Sequence, residues 1–147
     1  MYVLLCALAF AAGVVLVVQV GVNATLRTGL GDPVAAALAS FLVGSAALAL
    51  LLLANGAWPA RSQLLAAPAW AWAGGVLGAF YVVSTIVLGP RLGAAALLSL
   101  VILGQLLTSL VVDHYGWLGF PEHPVTLTRL LGALLLFGGV LLVVHRA

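Results

Sequence analysis

The stretch VVQVGVNATLRTGLGDPVAAALASFLVGSAALALLLLA, residues 17–54, decides the fold. An apolar segment gives way to a short polar punctuation, NATLRTGLGDP, and a second apolar segment follows that is about 20 residues long, enough to cross a bilayer as one helix. Gly29, Gly31 and Pro33 turn the chain, and Asp32 before Pro33 suits the start of a new helix. The stretch therefore reads as two spanning helices joined by a tight connection.

Extended outward, the same reading gives five spans at about residues 2–22, 34–54, 69–89, 94–112 and 130–144, by the criterion of about 20 apolar residues per crossing. They form one transmembrane domain over residues 1–147. The connecting segments hold all six prolines and four of the five arginines. Thr126 or Thr128 is the candidate N-cap of the last span. With a mean hydropathy of +1.32, 65% hydrophobic residues and 5% charged ones, the chain cannot make a solvated surface. It is predicted to be an all-α integral membrane protein whose first partner is the lipid bilayer. The net charge of +2 rests on too few side chains for a face that could hold nucleic acid. The first span has no basic residue before its apolar run, which favours a retained helix over a cleaved signal. Cys6 is the single cysteine, expected to be a small buried side chain, and it excludes a disulfide framework.

An odd number of spans puts the termini on opposite sides of the membrane. One side then receives Arg61, Arg129 and the N-terminal amine, and the other Arg27, Arg91 and Arg146. A near-tie in positive charge fits copies inserted both ways, or a single orientation decided by one charge.

Polar side chains within spans must find partners or face a cavity, so they are the candidate site. Gln19 and Asn23 are four apart and share a helical face. They suit either a substrate site or, as the plainer reading, an interhelical hydrogen bond from Gln19 and a helix cap from Asn23. Gln105, Ser109 and Asp113 form one stripe on the fourth span, with Gln105 near its middle. Ser109 can also bond back to its own helix. Asp113 lies unfavourably at a helix C-terminus, which calls for a partner such as Arg61, Arg129 or His114 and makes it a coupling or gating candidate. On the third span, Gly74 and Gly78 form a GxxxG pair suited to helix packing. Tyr81 shares a face with Ser84 or Thr85, and its hydroxyl needs a partner or a cavity. Ser40, Gly44 and Ser45 on the second span read as small-residue packing. No ligand spacing for a metal is present, and Asp113, His114, Glu122 and His123 straddle a loop. The chain carries no enzyme's set of His, Cys and carboxylate at one depth, and no cofactor motif.

Three segments together, QVGVNATLRTGLGDPVAAALASFLVGSAALALLLL, GGVLGAFYVVSTIVLGPRLGAAALLSLVILGQLLTSLVVDHYGWLG and RLLGALLLFGGVLLV, resemble the small YdcZ-like members of the drug/metabolite transporter superfamily. The resemblance covers nearly the whole chain and is weakest around Trp58. It implies half of a ten-helix inverted-repeat transporter fold, in a bacterial inner membrane. Joined to the balanced charge map, it implies an antiparallel homodimer; a separately encoded partner is the competitor. None of the spans holds a charged residue away from its ends, which disfavours export of small cations against protons. The expected substrate is a small neutral, zwitterionic or apolar solute, bound by Gln19, Asn23, Tyr81, Ser84, Gln105 and Ser109. The rival function is a non-transporting accessory or structural membrane subunit that uses these groups to hold helices together.

Overall fold

The computed structural model describes residues 1–145, so Arg146 of the charge map lies outside the described residues. Six α-helices follow one another: α1 (Tyr2–Leu30), α2 (Pro33–Ala54), α3 (Arg61–Ala66), α4 (Ala73–Leu92), α5 (Ala94–Tyr115) and α6 (Leu127–Val144). A 3-10 turn at Ala69–Trp72 leads into α4, and another at Trp117–Gly119 follows α5. All but α3 are long and apolar enough to cross a membrane, with the turn at Ala69 counted into the third span. No strand occurs among the described residues. The fold is all-α with five membrane spans, as the apolar runs predict.

The ends of the helices differ from the expectation in instructive ways. α1 continues to Leu30, about two turns beyond Val22. The polar residues that look like a turn are satisfied within the helix: Thr25 donates to the Gly21 carbonyl at 3.0 Å and Thr28 to that of Thr25 at 2.6 Å. The helix stops at Gly31, whose left-handed backbone (φ 74°) lets its N–H bond the Arg27 carbonyl. Asn23 therefore lies inside α1, and the cap reading of it is corrected. α2 starts as expected: the Asp32 carboxylate accepts from the Ala35 N–H at 2.7 Å, and Pro33 occupies the first helical position. α3 lies in a segment read as a plain connector; Gln63 Oε1 accepts from the N–H of Ala60 and closes its first turn. α4 runs past Gly89 through Pro90 to Leu92. α5 reaches Tyr115, which places Asp113 in its last turn. α6 begins at Leu127, with Thr126 accepting from the Arg129 N–H as its cap.

The chain divides into two compact units, residues 1–91 and the residues from 92 onward. In the first, α1 and α2 lie close together. Their contact with α4 centres on Ala36 and Ala37 of α2 and Val82 and Ile86 of α4, with Leu26 of α1 packed against them. Two alanines on one turn of α2 leave room for the β-branched pair of α4. In the second unit α5 packs on α6. Most of every span faces outward. Cys6 is exposed rather than buried, because the first half of α1 is exposed along its length.

Candidate functional site

In the first unit the polar residues converge halfway along the helices. A cavity of about 230 Å³ is lined by Gln19 of α1, Ser40, Phe41, Gly44 and Ser45 of α2, and Val82 of α4. Eight residues further along α1, Arg27 donates to the Ile86 carbonyl of α4. Asn23 sits between these levels on the face of α1 that carries both Gln19 and Arg27. It is 3% exposed, and its carboxamide makes no hydrogen bond among the described residues. The Gln19 side chain makes none either.

On α4, Tyr81 packs against the small core, and its hydroxyl is buried without a partner. Ser84, three residues on, is half-buried, and Thr85 is buried and donates to the Val82 carbonyl at 2.9 Å. Gly78 faces the Phe41 ring, with room for an added Cβ at 3.5 Å; Gly74 has open space beside it.

The fourth-span stripe lies in the second unit. Gln105 is exposed near the middle of α5, and its carboxamide has no partner among the described residues. Ser109 donates to the Gln105 carbonyl at 2.7 Å, the local bond that serines in apolar helices often make. Asp113 pairs with Arg129 at 3.2 Å. Arg129 Nη1 also reaches the His123 carbonyl, and the His123 N–H returns to the Asp113 carbonyl at 2.7 Å. His114 Nδ1 accepts from the Val125 N–H, so the segment between α5 and α6 is tied at several points. A second cavity, about 430 Å³, opens between α5 and α6 with Ser109, Asp113 and Arg129 in its wall. Gln105 does not line it.

Residues 4–142 match the model of a family described as "Putative inner membrane exporter, YdcZ". The chain belongs to this YdcZ family. No curated protein and no solved structure matches it. As a YdcZ member it is an integral protein of the inner membrane, and its family is one of transporters rather than enzymes. The structure of this YdcZ protein also brings forward residues that the sequence reading placed among packing groups. Ser40 and Ser45 flank Gly44 on the face of α2 that opens toward Gln19. Their spacing of five around a glycine is the signal available in the sequence, and it looks the same as a packing stripe.

Proposed function

We propose that this protein is one half of an exporter, in which two copies inserted in opposite orientations form a ten-helix inverted repeat. It moves a small neutral, zwitterionic or apolar solute by alternating access. The observation that carries this reading is the cavity at mid-helix, with the carboxamide of Gln19 and the hydroxyls of Ser40 and Ser45 in its wall. An amide left unpaired in hydrocarbon costs several kcal/mol, so such a wall is stable only against water, a solute or another chain. No ionisable side chain lines this cavity. That favours uncharged or internally balanced solutes over cations exchanged for protons. Gln105 supports the pairing of copies, because a mid-span amide with no partner among the described residues is met by one from a second chain.

Gly44 offers a direct test, since a Cβ there meets open space. Cells expressing the protein and cells expressing Gly44→Leu at equal membrane levels should differ in the solutes released to the medium. At least one solute should accumulate outside with the natural chain and not with the filled cavity. Identical release would reject export through this cavity. Pairing in opposite orientations is tested separately: a C-terminal cysteine in a Cys6-free background should label from both sides of the membrane. One-sided labelling would reject it.

A further inference from the structure

We propose that the cavity between α5 and α6 holds a zwitterionic phospholipid carrying a primary ammonium, clamped by its headgroup on Asp113 and Arg129. This goes beyond the exporter reading and does not depend on it.

The ion pair is joined through one nitrogen and one oxygen. Arg129 Nη1 serves both Asp113 Oδ2 and the His123 carbonyl. Nε and Nη2 of Arg129 and Oδ1 of Asp113 bond to nothing among the described residues. The two side chains are 38% and 28% exposed, so these spare atoms are within reach. A ligand with an anion and an ammonium a few ångströms apart can engage both without breaking the pair, placing its anion on the guanidinium and its ammonium on the carboxylate. Ser109 lies one turn below Asp113, and its hydroxyl oxygen can accept a further bond.

Position in the membrane selects a lipid over a free solute. Asp113 is in the last turn of α5 and Arg129 in the first turn of α6, the depth at which headgroups sit. From there the wall descends into the span along Leu106 and Leu110 on one side and Gly132 and Ala133 on the other. The glycine and alanine leave a channel for an acyl chain that a pair of larger side chains would fill. Charge complementarity then chooses among lipids. A phosphoethanolamine group offers both charges and N–H donors, a phosphocholine group has no N–H for Asp113, and a phosphoglycerol group has no cation.

The test uses the full chain in mild detergent, freed of lipid and offered equal amounts of phosphatidylethanolamine, phosphatidylcholine and phosphatidylglycerol with the same acyl chains. Native mass spectrometry reads the adducts. The phosphatidylethanolamine adduct should exceed the phosphatidylcholine adduct roughly tenfold, the value of one charge-assisted hydrogen bond. Asp113→Asn should bring phosphatidylethanolamine down to the level of phosphatidylglycerol, and Arg129→Gln should lose both. The comparison on the natural chain decides the matter even where a variant fails to fold. Equal binding of all three lipids, or a preference for phosphatidylglycerol, overturns the proposal. So does displacement of the lipid by glycerophosphoethanolamine at matched concentration, which would mark a site for the free zwitterion.

Discussion

Arg27 donates from Nη1 to the main-chain carbonyl of Ile86 at 3.3 Å, and that carbonyl is the one that Pro90 leaves unmatched. In a regular helix the carbonyl of residue 86 accepts from the N–H of residue 90, which proline lacks. An arginine from α1 supplies the missing donor, and in doing so it fixes α1 against α4 just past the buried cluster of Ala36, Ala37, Val82 and Ile86. The same side chain also carries one of the few positive charges that bias orientation.

Removing the donor should strand the carbonyl. Arg27→Met is expected to cost about 1 to 3 kcal/mol, the penalty for an unsatisfied buried acceptor. Pro90→Ala restores an N–H in the helix, so the double variant should recover part of that loss. The check is a double-mutant cycle by denaturant titration in detergent, with an expected coupling of about 0.5 to 2 kcal/mol. Simple additivity would show that Arg27 acts by charge or packing alone.

Asn23 should behave as a functional group and not as a structural one. The residue is 3% exposed and its amide bonds to nothing among the described residues, so Asn23→Leu breaks no hydrogen bond. Thermal stability is expected to hold or rise, while release of the exported solute falls. A fall of more than about 1 kcal/mol in stability, the usual worth of a lost hydrogen bond, would point to an interhelical partner instead.

Gln105→Leu addresses the proposed interface between copies. Side-chain volume is nearly conserved and no side-chain bond among the described residues is lost, so the fold should be unaffected. If the amide lines a shared solute path, the dimer fraction in detergent stays constant and the stabilisation by added solute disappears. If it holds the copies together, association weakens by about 0.6 to 2 kcal/mol. Measuring both quantities on one preparation separates the outcomes.

The two glycines of α4 should respond differently. Gly78→Ala places a methyl at ordinary contact distance from Phe41, and it should stabilise the helix by up to about 1 kcal/mol. Gly74→Leu meets open space in the single chain, so it should leave the monomer unchanged and disturb the proposed dimer where a second helix approaches there. Chemical crosslinking yield alongside a melting curve distinguishes the two effects.

Spans were readable because each is a run of apolar residues, and hydrocarbon demands little else of a helix. Asp32 with Pro33, and Thr126 as a cap, were readable because capping is local. The extension of α1 through Asn23, Thr25 and Thr28 was not, since those residue types serve turns and helices alike and only their bonds to Gly21 and Thr25 decide the matter. Nor was the continuation of α4 past Pro90, because the donor that compensates for it lies 59 residues away on another helix. Arg129 was among three candidate partners for Asp113, and the segment between α5 and α6, tied back through His123, selects it. Ser40 and Ser45 escaped as cavity walls because a small residue that makes space for a helix and one that makes space for a solute leave the same trace.

The length of α1 has a mechanical consequence. Its 29 residues extend over about 43 Å, against about 33 Å for the 22 of α2 and about 30 Å for the hydrocarbon layer. The two helices are level at the Gly31 turn, so the excess falls at the start of α1, on Tyr2, Val3, Leu4 and Leu5, which are apolar and exposed. These residues gain nothing from water, and the mismatch is relieved by tilting the helix or by thickening the lipid around it. A change in bilayer thickness that tilts α1 would carry Gln19 with it and alter the width of the cavity it lines. Reconstitution in lipids of stepped chain length should change transport, with an optimum in membranes thick enough to house α1 upright.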